Sequence, residues 1–225
     1  MPTSRENRIS SADLDFVNRS ATILQLYRNE PEGSDIGLGI RAQGRLWEAG
    51  GAIVNGAGPN TSDDTNGKAL VGRMGMHYGD LGIAAYGYNG DQMGTLGVVT
   101  KNRWGGDLAI GREGQMLRAE FHRAQDESAH SRGWFVQADL LLSIFSVEAY
   151  RKWAWLQKIH PRLRVESFDP DIDAIGNRQT ITNLALEIRP SPSASLIAQY
   201  DWIREEDPNQ QIPNNALTFQ TTIKF

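Results

Sequence analysis

The 225-residue chain contains no cysteine, which removes disulfide staples and thiolate metal sites from consideration. It also lacks any long apolar run. The nearest attempt, Leu140-Leu141-Leu142 with Ile144-Phe145, falls far short of the ~20 residues that a transmembrane helix needs. Excess positive charge is missing as well. The net charge of −4 argues against a nucleic-acid partner. Met1-Pro-Thr-Ser-Arg-Glu-Asn-Arg8 has no apolar h-region, so no secretory signal is visible there. The four histidines, His77, His122, His130 and His160, show no H-x-x-x-H spacing, and neither a metal nor another cofactor is expected. Ser128 and Ser131 flank His130, but adjacency in sequence does not make a catalytic triad. An enzyme is therefore not expected. Asp63-Asp64 and Glu205-Glu206-Asp207 could hold a divalent ion that bridges lipopolysaccharide, and are read first as solvated loop charge.

What the chain does have is alternation at a period of two. Leu217, Phe219, Thr221, Ile223 and Phe225 share one face of the last strand, with Thr218, Gln220, Thr222 and Lys224 opposite. A chain that stops on such a strand suits lipid on one side and a wet lumen on the other. The same pattern recurs upstream. Leu196, Ala198, Tyr200 and Trp202 oppose Ser195, Gln199 and Asp201, while Leu184, Leu186 and Ile188 oppose Asn183, Glu187 and Arg189. Leu163 and Val165 oppose Arg164 and Glu166, and Trp134, Val136 and Ala138 oppose Gln137 and Asp139. Leu117, Ala119 and Phe121 oppose Arg118, Glu120 and His122, and Leu108 and Ile110 oppose Asp107. Leu70, Met74 and Met76 oppose Arg73 and His77, and Ile36, Leu38 and Ile40 oppose Arg41 and Gln43. Residues 81–89 and 46–56 are ambiguous because Gly and Ala fill both faces. With a first strand over residues 14–28, the pattern predicts about twelve strands in a single domain spanning 1–225.

The connections carry a second pattern. Short links at 44–45, 79–80, 112–114 and 190–193 alternate with longer polar ones at 29–34, 57–67, 90–103, 124–132, 169–177 and 205–215. An all-β, antiparallel, up-and-down transmembrane barrel predicts that alternation, whereas a Greek-key sandwich does not. Residues 143–161 break the rule, being long where a short turn is expected. Trp153 and Trp155 there suit either an interfacial aromatic belt or the capping of a hairpin.

Three stretches, Asp107-Leu-Ala-Ile-Gly-Arg-Glu-Gly-Gln-Met-Leu-Arg-Ala-Glu-Phe121, Gly133-Trp-Phe-Val-Gln-Ala138 and Leu163-Arg-Val-Glu-Ser-Phe-Asp-Pro170, resemble successive strands of the phosphate-selective porin O and P family. Asp15-Phe-Val-Asn-Arg-Ser20 is similar to that family's F-x-E-R-S stretch, with Asn18 where Glu is usual. The resemblance covers the C-terminal part of such a porin and implies a larger barrel of roughly sixteen strands. It further implies residence in the outer membrane of a Gram-negative bacterium, contact with outer-membrane lipid and lipopolysaccharide, and a homotrimer. Leu217, Phe219, Ile223 and Phe225 resemble the signal that such barrels present to their assembly machinery. The expected function is passive diffusion of small polar or anionic solutes such as phosphate, through a lumen lined by Arg41, Arg73, Arg118, Glu120, His122, Arg164, Glu166, Asn183, Glu187, Gln199, Asp201, Gln220 and Lys224. Those charges either set a transverse field in the lumen or merely pair across strands to fill it. The competing expectations are a structural barrel with a blocked lumen, serving as an anchor in a larger assembly, and a soluble β-barrel or sandwich.

Overall fold

A computed structural model describes residues 16, 20–21, 36–56, 67–94, 97–112, 115–140, 152–207 and 214–223. The described chain forms one sheet of eleven antiparallel strands in sequence order, each paired to the next. They are β1 (Gly37–Gln43), β2 (Trp47–Val54), β3 (Ala69–Tyr78), β4 (Leu81–Gly94), β5 (Gly97–Arg112), β6 (Gln115–Asp126), β7 (Ala129–Asp139), β8 (Ile159–Asp169), β9 (Gln179–Ser191), β10 (Ala194–Glu205) and β11 (Ala216–Ile223). No crossover interrupts that order, so the topology is up-and-down.

Eleven of the expected strands are present. Of the expected strand over 14–28 only Phe16, Ser20 and Ala21 are among the described residues, and they are not in strand conformation, Phe16 lying in a bend and Ala21 being helical; the remainder lies outside the described residues. The expected long links at 90–103 and 124–132 are also corrected. β4 and β5 run on to residues 94 and 97, and β6 and β7 meet at a two-residue turn, Glu127-Ser128. Glu127 there has φ 55, a left-handed conformation that a non-glycine residue adopts at a cost. One rim, called the loop rim here, therefore mixes tight turns with the long connections 55–68, 170–178 and 206–215. The opposite turn rim has links at 44–46, 79–80 and 192–193, plus the long connection 140–158 with its 3-10 turn, Ala154–Lys158.

The distribution of polarity is inverted relative to a water-soluble sheet. Arg73, Arg103, Asp107, Glu120, His122, Gln137, Arg164, Glu166, Asn183, Glu187 and Gln199 are buried, while Leu38, Ile40, Met74, Met76, Phe219 and Leu217 are more than 60% exposed. Among the described residues no second layer covers the buried face, so the sheet curls and its polar side chains enclose one another. Glycine allows some of that curvature and crowding. A Cβ on Gly105 would stand 2.3 Å from the Phe121 carbonyl oxygen and 2.7 Å from the Tyr86 hydroxyl, which shows that the Tyr86 side chain lies across Gly105.

The outer face is apolar over a band of defined height. On β3 the outward positions Leu70, Gly72, Met74, Met76 and Tyr78 span roughly 26 Å along the strand at ~3.3 Å per residue. Towards the loop rim the band ends at charges, with Trp202 stacked under Arg204 at 4.1 Å and exposed Arg132 paired to Asp169 at 3.2 Å.

Candidate functional site: the charged concave face

The register assigns each inward side chain to a row. Arg41, Gly50, Arg73, Tyr86, Gly105, His122, Gly133 and Phe168 are successive cross-strand partners from β1 to β8. The adjacent row towards the turn rim carries Glu48, Gly75, Ala84, Asp107, Glu120, Phe135, Glu166 and Ile181. The next carries Ala109, Arg118, Gln137, Arg164, Asn183 and Asp201. From β2 to β5 each strand sets a small residue in one of the first two rows beside a large one in the other (Gly50, Arg73, Tyr86, Gly105; Glu48, Gly75, Ala84, Asp107), whereas from β6 to β9 large side chains such as Glu120, Phe135 and Glu166 are direct neighbours.

Three networks hold the charges. In the first, Arg73 donates to both Asp107 oxygens at 2.5 and 3.2 Å and to Glu48 at 3.0 Å. Arg41 reaches Glu48 from the other side at 3.1 Å. In the second, the Tyr86 hydroxyl lies 3.1 Å from His122 Nδ1, and His122 Nε2 lies 3.3 Å from Glu120. Arg73 is 5.8 Å from the centre of the Tyr86 ring, which couples the two. In the third, Arg162 bridges Asp139 at 3.3 Å and Glu187 at 2.6 Å, and Arg189 adds to Glu187 at 3.0 Å. Beside it Arg164 donates to Asn183 at 2.9 Å, and Asn183 and Gln199 both donate to Asp201 at 2.7 Å. The pairing is dense for a physical reason: ions removed from bulk water are tolerated only with partners that replace their hydration.

The described N-terminal residues sit on this third network. Phe16 is 2% exposed and packs with Ala185 and Ile197. The Arg164 guanidinium lies 4.4 Å from its ring centre. The Ala21 amide donates to Glu166 at 2.5 Å, and Ser20 is fully buried. The stretch read from sequence as a first strand is thus, at these three residues, a segment lodged on the concave face of β8–β10.

The expected lining residues fall as follows. Arg73, Glu120, His122, Arg164, Glu166, Asn183, Glu187, Gln199 and Asp201 are buried on the concave face. Arg118 is half-buried there and donates to the Met116 sulfur, and Gln220 is half-buried on β11. Arg41 shares the face by register, but its side chain is 61% exposed because β1 is an edge. Lys224 lies outside the described residues, as does Phe225 of the expected assembly signal. Leu217, Phe219 and Ile223 are exposed on the outer face. Sequence reading missed Lys101 and Arg103, buried members of the same face, since it assigned 90–103 to a loop. Continuing the period-two pattern from Asp107 backward would have found them. It also missed Tyr86, Tyr88 and Phe135, aromatic residues on the polar side, for which alternation gives no signal.

His130 pairs with Asp173 at 3.1 Å at the loop rim. Among the described residues no group of three or more His, Asp or Glu side chains is placed to hold a metal ion. Comparisons with protein-family models, with curated proteins and with solved structures find no match.

Proposed function

We propose that the sheet belongs to a transmembrane β-barrel of the outer membrane that acts as a porin, passing small polar solutes by diffusion. One observation carries the reading: buried ionised side chains such as Arg73, Arg103, Asp107, Glu120, Arg164, Glu166 and Glu187 share the concave face, while large apolar ones such as Met74, Ile83, Trp104, Trp134, Leu184 and Trp202 are exposed on the outer face. In water, fully exposing one large apolar side chain forgoes roughly 1.5–3 kcal/mol. A continuous belt of them would be a severe liability, and lipid removes it. The six tryptophans agree, each being between 40% and 56% exposed, as expected of side chains at lipid and headgroup level. The resemblance to phosphate-selective porins, with its trimer, lipopolysaccharide contacts and assembly signal, is part of the same proposal and rests on the sequence alone.

Transport through such a wall is governed by diameter and by the lumen field. The buried ions of the concave face are balanced, with Arg73, Lys101, Arg103, Arg162 and Arg164 against Asp107, Glu120, Glu166, Glu187 and Asp201. Paired charges of that kind orient water and dipolar solutes while giving weak preference for either ion sign. Phosphate selectivity therefore draws on the resemblance and not on this charge distribution.

A second reading, a barrel blocked by its own chain, is favoured by Phe16, Ser20 and Ala21 on the concave face of β8–β10. Planar-bilayer recording separates the two. Discrete ohmic steps that grow in Phe16→Ala support a conduit narrowed at this point. Inserted protein that stays insulating in both forms supports the blocked scaffold and contradicts the porin.

A further inference from the structure

The outer face carries an uncompensated positive charge where it leaves the apolar band towards the loop rim. Arg123 on β6 and Arg132 on β7 are both outward and exposed, and they are direct cross-strand partners. Side chains so placed have Cβ atoms about 4.5–5.5 Å apart, and like charges there repel. Arg132 is held by Asp169 at 3.2 Å. The Arg123 side chain has no carboxylate partner among the described residues. These three residues therefore present one net cation to whatever lies outside the sheet.

The surface on the turn-rim side of these arginines is apolar and aromatic. Trp104 is the cross-strand partner of Arg123 on its other flank, and its ring lies 5.5 Å from that of Phe121, tilted by 57°. Phe121 in turn partners Trp134. Beside them a shallow groove of about 390 Å³ crosses Gly106 and Ala119, between Ile83, Leu108, Phe121 and Trp134. Small residues on β5 and β6 open this groove, and their large neighbours form its banks. Cations at one end, aromatic rings at headgroup level and an apolar trough running into the band make a single amphipathic surface. A free anion would use only the first part of it, and an uncharged acyl chain only the last. The leaflet follows from the connections. In outer-membrane barrels the longer loops are extracellular, and 55–68, 170–178 and 206–215 lie at this rim.

We propose that this surface is a docking site for a phosphorylated lipid of the outer leaflet, lipopolysaccharide. Its lipid A phosphate sits between Arg123 and Arg132, and one acyl chain lies in the groove beside Phe121 and Trp134. A phosphomonoester brings about −1.5 to −2 of charge and three acceptor oxygens. That suits two guanidinium forks and cancels the repulsion between them. The inference rests on the membrane reading above and deepens it, assigning the lipid contact to particular residues.

Native mass spectrometry of the whole chain in detergent tests the site, with diphosphoryl lipid A and the same lipid stripped of its phosphates as probes. Arg123→Gln leaves every described ion pair in place. It should weaken binding of diphosphoryl lipid A roughly tenfold or more, as loss of a charged hydrogen bond does, while Arg123→Lys should keep part of the affinity. Stripping the phosphates should weaken binding to wild type by a similar factor. Ala119→Leu, which fills the groove, should weaken binding of both lipids. Arg204→Gln, at an arginine stacked on Trp202 elsewhere along this rim, should change neither. Equal lipid A binding by wild type and Arg123→Gln, or indifference to the phosphates, overturns the site and leaves the membrane reading intact. A dimer of the chain that depends on Arg123 and excludes lipid A overturns it too, making this face a contact between copies. Protein that fails to float with phosphatidylcholine vesicles overturns the membrane reading and the site together.

Discussion

Replacing Leu184 by arginine separates a lipid-facing sheet from a water-facing one by both sign and size. Leu184 points outward and is 54% exposed. It lies in a cross-strand row with Leu163, Tyr200 and Leu217, well inside the apolar band. On a water-exposed surface such a change lies within about ±0.5 kcal/mol. Near the middle of a bilayer, arginine on the outer face of a barrel costs about 2–4 kcal/mol. At ~1.4 kcal/mol per tenfold, that is roughly a 30- to 700-fold fall in the folding equilibrium constant. The outward Thr180 position lies nearer the loop rim, opposite Arg204, and arginine there costs about 0–1 kcal/mol. The assay is reversible urea unfolding from lipid vesicles, followed by tryptophan emission, for wild type, Leu184→Arg and Thr180→Arg. Equal stability of all three, or stabilisation by Leu184→Arg, would refute the reasoning.

Three further outcomes follow from particular contacts. Arg73→Met leaves Asp107 and Glu48 without their shared cation, so unfolding measurements should show a loss of about 3–5 kcal/mol, whereas the double change Arg73→Met with Asp107→Leu should recover most of it. Gly105→Ala places a methyl group 2.3 Å from the Phe121 carbonyl oxygen; a loss of about 1–3 kcal/mol is expected, and Tyr86→Phe should not rescue it because the closest atom is backbone. Glu127→Gly relieves the positive φ of the β6–β7 turn and should raise the urea midpoint by up to about 1 kcal/mol equivalent.

The strands were legible in the sequence because polarity alternates cleanly wherever one face meets charge and the other apolar surroundings. Residues 183–188 and 117–122 announce their two faces without any tertiary information. The signal fails where side chains are small or amphipathic. Over β4, Ala84, Tyr86 and Tyr88 are buried while Ile83 and Leu81 are outward, a division that hydropathy cannot make, since Tyr86 turns inward for a hydrogen bond to His122 over the space left by Gly105. Strand extensions at 90–103 and 124–126 were hidden by polar composition, because above the apolar band both faces of a strand can be polar and the stretch reads as loop. The bend at Phe16 was misread for the opposite reason. An apolar residue bound to a cation and to Ala185 and Ile197 looks, in sequence, like one more alternating strand position. The individual lining residues could be assigned to a face from spacing, but their partners could not, because Arg73–Asp107 and Tyr86–His122 each skip one strand.

The account rests above all on lipid contact with the outer face, and the tryptophans report on it directly. All six are exposed on the described surface, so their emission can be quenched from either medium. Reconstituted protein should be quenched strongly by brominated acyl chains, with Trp104, Trp134 and Trp202 inaccessible to aqueous iodide. Protein that stays monodisperse in detergent-free buffer, with those tryptophans quenched by iodide and untouched by brominated lipid, would contradict the account.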